Sequence, residues 1–473
     1  MIPMTLPEIA EVVGGRVHDD AGVTVARAAF VDSRTPVEGG LFVAFRGEHV
    51  DGHEYADAAI AAGAAAVMSE RPVGHPAVVV DDPLTAVAAL ARHVLAALPD
   101  VKVVALTGSQ GKTSTKDLLA QVLAAAGTTV ATAGSFNNEL GLPLTVLRAD
   151  SATEFLVLEM GARGTGHLAE LCRVAPPDVS LVLNVGKAHL GEFGSQEAIA
   201  RAKGEIVDAL AADGVAVLNA DDPLVAAMAS RTSARVTTFG ESAGSDVRLT
   251  GLEVDELGRP RFDLSAGDAL AHVELGLVGE HQAMNAAAAA AVGLALGMRL
   301  DEVTGALASA TLASRWRMEI HERADGVMVV NDAYNANPDS MRAALKALAA
   351  IGRGRGPGTR TIAVLGEMRE LGESSRDEHD AVGRLAVRLD ISRLLVVGEA
   401  ARPMHLGAYL EGSWGEESAF VPDSDAALAW LRENLAPGDV VLFKASRAAA
   451  LETVAEAVLA EGRADDDEKE TAG

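Results

Sequence analysis

A short glycine-containing segment offers the clearest chemistry in the sequence. Residues 107–113 read TGSQGKT between an apolar and a helical segment, which is the short G-x-x-G-K-T form of a phosphate-binding loop. In such a loop the backbone N–H groups and the positive end of the next helix attract an anion, Lys112 reaches the terminal phosphates, and Thr113 binds magnesium. The leading glycine of the longer form is replaced by Leu106. We therefore expect ATP or GTP, and the alternative is a glycine-rich turn with a solvated lysine. The residues predicted to bind the nucleotide here are Thr107, Gly108, Ser109, Gln110, Gly111, Lys112, Thr113 and Ser114.

Three further side chains are candidates for metal binding or catalysis. Magnesium prefers oxygen ligands, and Glu159 directly follows the apolar segment 155–158, at the sheet edge where parallel α/β proteins place their sites. The alternative for Glu159 is a solvated residue at a strand end. His189 also follows an apolar segment, but a lone histidine is often a hydrogen-bonded structural residue. Lys203 lies in a helical segment, and its spacing alone indicates a surface lysine.

Two polar loops follow apolar segments in the last third of the chain. Residues 331–341 read NDAYNANPDSM, and their Asp and Asn side chains could hydrogen-bond a ribose, a base or a phosphate. The same residue types also suit a simple turn and a helix start, with Pro338 in the first helical turn. Residues 366–372, GEMRELG, follow the next apolar segment. We expect both loops to lie at one sheet edge and to form a second face that closes on the nucleotide.

The segments that carry these residues predict an α/β protein with three domains. The first hundred residues mix short apolar runs with an alanine-rich helical stretch at 55–66, which predicts a small α/β domain. Beyond them, apolar strands alternate with helices, which indicates a parallel sheet covered on both faces, and residues 246–275 look like a β-rich insertion or edge. A third α/β unit follows, with a glycine-rich loop at 352–358. The predicted domains are 1–99, 100–313 and 314–462, followed by a disordered acidic tail at 463–473.

Composition excludes several classes of function. The 473 residues include 40 Lys and Arg against 67 Asp and Glu, a formal net charge of −27 that repels nucleic acids. Cys172 is the only cysteine, so the chain has no intramolecular disulfide, as is usual in a reducing compartment. The first residues lack the basic and apolar pattern of a signal peptide, and the most apolar run, 286–298, is too short to cross a bilayer. We expect a cytoplasmic monomer without a nucleic-acid partner or stable membrane insertion.

Four motifs together resemble those of the Mur ligases, the ATP-dependent amide-bond ligases of peptidoglycan synthesis. They are residues 107–115, 134–143 (GSFNNELGLP), 184–194 and 332–341 (DAYNANPDSM), and the resemblance extends over about residues 1–460. The last motif looks most like that of the members that add D-alanyl-D-alanine to UDP-N-acetylmuramoyl-tripeptide. The DNPR signature of the members that add diaminopimelate or lysine is not found in the sequence. The alternatives are another amino-acid-adding Mur ligase and a nucleotide-binding homologue without catalysis.

The resemblance implies an N-terminal domain for the UDP-sugar, a central ATPase domain and a Rossmann-like C-terminal domain. It also implies an acyl-phosphate intermediate, a role in cell-wall growth and cell division, and ATP and Mg²⁺ as cofactors. Lys112, His189 and Lys203 would be catalytic; Thr113 and Glu159 would hold one magnesium ion, and His189 with a carbamylated Lys203 a second. The further positions it implies are Asn285, Arg317, Asp332 and Asn335 for the nucleotide, and Ser33, Arg34, Asn137 and Asn138 for the substrate.

One segment departs from the family pattern. Near the C-terminus the family carries KGSR followed by Gly, Met, Arg, Met and Glu, where residues 444–452 of this chain read KASRAAALE. Lys444, Ser446 and Arg447 are retained, and the later arginine is missing. In the N-terminal domain, residues 32–34 and 41–53 resemble elements that bind the uridine.

Overall fold

The computed structural model describes residues 1–20, 22–47, 50–186, 190–412 and 415–471, without the side chains of 190, 192 and 462–471. It contains α/β units built on three larger sheets, in the three-domain arrangement expected from the sequence. The predicted domain boundaries themselves stay predictions.

The N-terminal part of the chain forms a small α/β unit. Its elements are β1 (Met4–Thr5), α1 (Leu6–Val13), β2 (Arg16–His18), β3 (Thr24–Val25), β4 (Ala29–Phe30), β5 (Leu41–Val43), α2 (Ala56–Ala61), β6 (Ala66–Ser69), β7 (Ala77–Val79) and α3 (Pro83–Ala96). β1 pairs with β3, and the second sheet has the order β2-β7-β6-β5-β4, parallel except for β2. The prediction of one helix over 55–66 was wrong beyond Ala61, where α2 ends. Gly63, at a φ of 103°, turns the chain into β6, whose buried residues fit between β5 and β7.

The central part is built on a nine-stranded sheet. Its strands are β8 (Lys102–Thr107), β9 (Thr129–Ala131), β10 (Phe155–Glu159), β11 (Val179–Val182), β12 (Val215–Asn219), β13 (Arg235–Gly240), β14 (Val247–Val254), β15 (Pro260–Ala266) and β16 (Ala269–Glu274). Its helices are α4 (Lys112–Ala124), α5 (Gly141–Val146), α6 (His167–Val174), α7 (Leu190–Phe193), α8 (Gln196–Asp208), α9 (Pro223–Ala226), α10 (His281–Ala295) and α11 (Leu300–Ala308). The order is β16-β15-β14-β13-β12-β11-β8-β10-β9, parallel from β9 to β14. The three antiparallel strands β14 to β16 confirm the β-rich edge predicted over 246–275.

The position of β8 between β10 and β11 decides where the chemistry lies. These three strands are nearly continuous runs of buried apolar residues because helices cover both faces of the sheet. β8 leads into the phosphate-binding loop, β10 ends at Glu159, and Asn184 lies two residues beyond β11. Parallel strands end at the same edge, so these three segments meet beside one another.

Alanine allows α10 to pack closely on α4 beside the same edge. The six consecutive alanines at 286–291 are all fully buried, and α10 contacts α4 along its length. Small side chains let two helices approach without large residues between them. This packing places the first turns of α10 next to the start of α4, where the phosphate-binding loop ends.

The C-terminal part forms a second doubly wound unit. Its elements are β17 (Glu319–Glu322), β18 (Met328–Asn331), α12 (Pro338–Gly354), β19 (Thr361–Leu365), α13 (Ser375–Arg388), β20 (Arg393–Val397), α14 (Arg402–Glu411), β21 (Ser418–Val421), α15 (Ser424–Asn434), β22 (Val440–Lys444) and α16 (Leu451–Thr471). The sheet order is β17-β18-β22-β19-β20-β21, and all pairs except β17–β18 are parallel.

Two predictions for this unit differ from the structure. The loop expected over 352–358 begins later, because α12 continues through Gly354. A Cβ at Gly354 would lie 2.2 Å from the carbonyl oxygen of Glu256, so this glycine serves close packing within a helix. α16 continues through Thr471, into the segment 463–473 that the sequence predicts to be a disordered acidic tail.

Apolar side chains join the N-terminal and central units and fill the interior of the central unit. α3 of the N-terminal unit packs against α5 of the central unit, and Leu90 and Leu142 belong to one buried apolar cluster. A second cluster, which includes Leu118 and Val292, fills the space between the central sheet, α4 and α10. No helix in the described part of the chain is long and apolar enough to cross a membrane.

Candidate functional site

A cavity of about 610 Å³ lies between the edge of the central sheet and the loops of the C-terminal unit. Most of the residues predicted from the sequence line this one cavity. They are Ser109, Gln110, Gly111, Lys112, Thr113, Ser114, Asn137, Asn138, Glu159, Lys203, Arg317 and Asn335. Thr107 and Gly108 directly precede Ser109 in the chain, at the end of β8 and in the first residue of the loop. The fold therefore gathers residues that are up to about 230 positions apart in the chain.

The phosphate-binding loop is held in shape by Asn184. Its Oδ1 accepts hydrogen bonds from the backbone N–H groups of Ser109 and Gln110, both at 3.0 Å, and its Nδ2 donates to the carbonyl oxygen of Gln110 at 3.2 Å. The N–H groups in the first turn of α4, at Lys112 and Thr113, have no acceptor within the helix. Because these residues line the cavity, the helix presents its positive end to any anion there.

Gly111 is the position where the loop turns into α4. Its φ is 77°, in the left-handed region, and a Cβ there would lie 2.6 Å from Oδ1 of Asn285. Asn285 is fixed in turn, because its Nδ2 donates to Oε1 of Gln282 at 2.9 Å. Both the backbone conformation and the close approach of α10 therefore require glycine.

Two lysines with lowered pKa values face this cavity. Nζ of the half-buried Lys112 donates to the carbonyl oxygen of Gly108 at 2.8 Å. Desolvation lowers the pKa of Lys112, and the nearby charge of Glu159 opposes that effect. Lys203, on α8, is 3% exposed, and burial lowers the pKa of its ammonium group well below the usual value, with a further contribution from the charge of Lys112. Lys203 is thus easier to deprotonate than a surface lysine.

Glu159 and Thr113 fit the requirements of a magnesium ion. Glu159 is 1% exposed; its Oε1 accepts a hydrogen bond from Nδ2 of Asn137 at 2.7 Å, and its Oε2 is buried with no hydrogen-bond partner among the described residues. The described residues contain no cluster of three or more His, Cys, Asp or Glu that could enclose a metal. Magnesium commonly uses one or two carboxylates together with phosphate oxygens and water, so a single buried glutamate beside a phosphate-binding loop suits it.

Arg317 joins the central and C-terminal units across the cavity. Its Nη2 donates to Oγ1 of Thr113 at 3.2 Å, and its guanidinium carbon lies 4.3 Å from the ring centre of Tyr334. The hydroxyl of Tyr334 is hydrogen-bonded to the hydroxyl of Ser135. Stacking on an aromatic face restricts the motion of a cation, so the guanidinium of Arg317 stays directed at the phosphate-binding loop.

The two polar loops of the C-terminal unit form the opposite wall, as predicted. Nδ2 of Asn337 donates to the carbonyl oxygen of Ser109 at 3.4 Å, and the N–H of Gly191 donates to the carbonyl oxygen of Glu370 at 3.3 Å. Arg369 also lines the cavity. The C-terminal unit therefore touches both the phosphate-binding loop and the segment after β11.

A second cavity of about 270 Å³ adjoins the same loop. It is lined by both units, and its residues include Asn285, Asp332, His281 and Lys444. Nζ of the buried Lys444 donates to Oδ2 of Asp332 at 2.6 Å and to the carbonyl oxygen of Asn335 at 2.9 Å. Desolvation lowers the pKa of Lys444, with Asp332 opposing, and burial also lowers the pKa of His281. The cavity thus combines apolar space with fixed polar groups.

Besides Thr107 and Gly108, three predicted residues are not placed in these cavities. His189 lies outside the described residues. Ser33 and Arg34 belong to the N-terminal unit and line neither cavity. Arg34 donates to Asp32 from its backbone and its side chain, and these hydrogen bonds lower the pKa of Asp32 to about 2. Their part in substrate binding stays a prediction.

The sequence analysis assigned no role to three residues that shape the site. Asn184 braces the phosphate-binding loop, Tyr334 supports Arg317, and Lys444 pairs with Asp332. Asn184 carried the same signal as Glu159, a polar residue just beyond an apolar strand. Lys444 also ends an apolar strand, and Tyr334 lies within the 332–341 motif, but no local pattern indicates their partners, which are distant in the sequence.

Comparison with known protein families gives matches along most of the chain. Residues 106–293 match the Mur ligase middle domain, residues 316–447 match the domain described as Mur ligase, glutamate ligase domain, and residues 29–97 match the Mur ligase family, catalytic domain.

Similar full-length proteins and solved structures belong to the same group. The chain is 50% identical to the UDP-N-acetylmuramoyl-tripeptide--D-alanyl-D-alanine ligase of Mycobacterium tuberculosis (strain ATCC 25618 / H37Rv), over 98% of each chain. It is 35% identical to the protein of that name from Bacillus subtilis (strain 168), over 96% of this chain and 98% of the relative. A crystal structure of MurF from Acinetobacter baumannii has a TM-score of 0.83 at 31% identity, covering 97% of this chain and 99% of that one. MurF ligase from Thermotoga maritima, solved in complex with ADP, has a TM-score of 0.77 at 33% identity, covering 93% and 98%.

Proposed function

The chain belongs to the Mur ligase family of ATP-dependent ligases, and we propose that it joins D-alanyl-D-alanine to UDP-N-acetylmuramoyl-tripeptide in peptidoglycan synthesis. One observation carries the proposal. A phosphate-binding loop, a buried carboxylate and a buried lysine of the central unit face the DAYNANP loop of the C-terminal unit across a single cavity. A ligase that activates an acid with ATP needs this arrangement, because three reactants must meet away from water.

The first step activates the acid. A carboxylate is a poor electrophile, because its charge is delocalised and its oxygen is a poor leaving group. The terminal carboxylate oxygen of the tripeptide attacks the γ-phosphorus of ATP, the bond to the β–γ bridging oxygen breaks, and ADP leaves. Lys112, the N-terminus of α4 and Arg317 surround the loop where the phosphates would lie, and their positive charge offsets the charge of the transferred group.

The second step forms the amide bond. The free amine of D-alanyl-D-alanine attacks the acyl phosphate, a tetrahedral intermediate forms, and inorganic phosphate leaves as the amine loses a proton. Water would hydrolyse the acyl phosphate, so the site must be closed to solvent. The contacts of Asn337 with Ser109 and of Glu370 with Gly191 support a closed cavity, since they hold the C-terminal loops against the central unit.

Thr113 and Glu159 are the residues that we propose for one magnesium ion. When bound, the ion would supply positive charge beside the phosphates. We also propose that Lys203 is carbamylated: its neutral amine adds to carbon dioxide and loses a proton, which leaves an anionic oxygen ligand. The burial of Lys203 supports this reaction, because it favours the neutral amine. His189 is the predicted partner of Lys203 in the second metal site.

The smaller cavity is our proposed site for the nucleoside of ATP. It adjoins the phosphate-binding loop, and Asp332 and Asn285 offer fixed hydrogen-bonding groups at its wall. The hydrogen bond from Nζ of Lys444 holds the Asp332 carboxyl group in position, as an acceptor for ribose hydroxyls requires. The UDP-sugar site near Ser33 and Arg34, the cytoplasmic location and the monomeric state remain predictions from the sequence.

The proposed reaction is tested with purified chain, ATP, Mg²⁺, UDP-N-acetylmuramoyl-tripeptide and D-alanyl-D-alanine. Phosphate release and mass spectrometry of the peptide product are measured together. We expect release of phosphate in step with the joined product, and no product without nucleotide. Single amino acids in place of the dipeptide test the alternative of another amino-acid-adding ligase. A chain that binds nucleotide but hydrolyses no ATP with both substrates would be the non-catalytic homologue.

The carbamate is tested separately with Lys203→Ala. We expect a severe loss of turnover with an unchanged fold, and a carbamate signal in wild-type chain incubated with ¹³C-labelled bicarbonate that is missing in the variant. Ordinary turnover by Lys203→Ala would exclude the carbamate without touching the ligase proposal.

A further inference from the structure

The segment that leads from the central to the C-terminal unit contains two residues in an unusual backbone conformation. Trp316 has a φ of 59° and Met318 a φ of 53°, and Arg317 lies between them. A bulky residue rarely adopts the left-handed region, where its Cβ crowds the backbone. Such conformations persist where surrounding contacts hold them, often next to a functional residue.

Three charged side chains contact the indole of Trp316. The guanidinium carbon of Arg447 lies 4.4 Å from the ring centre, and that of Arg315 lies 5.1 Å from it. Nε1 of the indole donates to Oε1 of Glu456 at 3.3 Å, and Nη2 of Arg315 donates to the same oxygen at 2.9 Å. Arg447 and Glu456 belong to the C-terminal unit, so the indole is fixed to that unit.

The backbone on both sides of Arg317 is fixed to the same unit. The N–H of Tyr334 donates to the carbonyl oxygen of Trp316 at 3.3 Å, and the N–H of Met318 donates to Oδ1 of Asp332 at 3.2 Å. The rings of Trp316 and Tyr334 are stacked, with centres 6.5 Å apart and planes 28° apart. The strained segment is therefore held in place by both side chains and backbone.

Arg317 extends from this segment to the phosphate-binding loop. As described above, it lies over Tyr334 and donates to Thr113 of the phosphate-binding loop. Its Nε is buried and has no hydrogen-bond partner in the described part of the chain. The contacts thus form a series from Glu456 and Arg447, through the stacked rings, to the guanidinium beside the phosphate-binding loop.

We propose that Trp316 is a positioning residue for nucleotide binding. It clamps the interdomain segment to the C-terminal unit, and this directs Arg317 at the phosphates of the bound nucleotide. Trp316 itself is absent from the wall of both cavities, so it acts through Arg317 and Tyr334. The role rests on the proposed nucleotide site and extends it to a residue outside that site.

The test is a double-mutant cycle on ADP affinity, measured by calorimetry on the full chain without peptide substrates. Trp316→Gly removes the ring and relieves the left-handed strain, so we expect it to fold. Trp316→Phe, the matched control, keeps a stacking ring. We expect Trp316→Gly to weaken ADP binding about tenfold or more and Trp316→Phe by less than about threefold. In an Arg317→Ala background, adding Trp316→Gly is expected to change the affinity by less than about twofold.

Several outcomes would overturn this role. Unchanged ADP affinity in Trp316→Gly is one, and an equal loss with and without Arg317 is another, because a merely structural residue gives additive effects. If Trp316→Gly is not folded by circular dichroism, Trp316→Leu replaces it in the same cycle with the same expectations. If the wild-type chain binds no ADP, both the proposed nucleotide site and this role of Trp316 are overturned. If the wild-type chain binds ADP and the variants bind it equally well, only the role of Trp316 is overturned.

Discussion

Gly111→Ala tests the geometry of the phosphate-binding loop quantitatively. Alanine at a φ of 77° costs about 1–2 kcal/mol relative to a right-handed conformation. The new Cβ would lie 2.6 Å from Oδ1 of Asn285, so Asn285 must move and lose its hydrogen bond to Gln282, at about 0.5–1.5 kcal/mol. Together the two effects cost about 1.5–3.5 kcal/mol, which corresponds to roughly 10- to 400-fold if all of it appears in nucleotide affinity.

The free-energy cost of Gly111→Ala can appear as a loss of stability or as a loss of nucleotide affinity, and both can be measured. If the loop keeps its conformation, the free energy of unfolding in urea falls; if the loop relaxes, ADP binding weakens in calorimetry. We expect the two losses to add up to the calculated range. Gly14→Ala is the matched control, because Gly14 has a φ of 67° with nothing within 4 Å of its Cβ position and lies at the end of α1. It should lose stability through the backbone alone and keep wild-type ADP affinity. Wild-type stability and affinity in Gly111→Ala would refute the reasoning.

Three further predictions follow from single side chains. Lys112→Met should lower ATP-dependent phosphate release about 10²-fold or more, with circular dichroism unchanged, because a positive charge beside the phosphates is lost; release within a few-fold of wild type would contradict this role. Lys444→Met should reduce the free energy of unfolding by about 3–5 kcal/mol, because it leaves Asp332 buried and unpaired. Adding Asp332→Asn should restore part of the lost stability. If no stability is recovered, an unpaired charge is not the cause of the loss. Burial, with the nearby charge of Glu205, raises the pKa of the Cys172 thiol to about 12. At pH 8 the folded chain should therefore react with a disulfide reagent at least about 100-fold more slowly than the unfolded chain. Equal rates would show that the thiol is accessible and has an unshifted pKa.

The sequence determined the local chemistry of the site. The phosphate-binding loop, Glu159 at the end of its strand and the two polar loops could be predicted, because each depends on residues close together in the chain. Apolar strands alternating with helices likewise predicted the parallel sheets, since burial on both faces leaves a visible pattern. The local signals failed where packing overrode them: the alanines before residue 66 lead into a buried strand, and the glycines at the end of α12 serve close contacts.

Only the tertiary structure decided which of these residues act together. Lys203 has the sequence of a surface lysine, and it becomes a buried amine of lowered pKa because α8 packs its face towards the cavity. Asn285 reaches the phosphate-binding loop because the alanines of α10 let two helices approach closely. Trp316 directs Arg317 through contacts with residues more than a hundred positions away. Desolvation, close packing and long-range pairing depend on the distances between elements, which no local run of residues specifies.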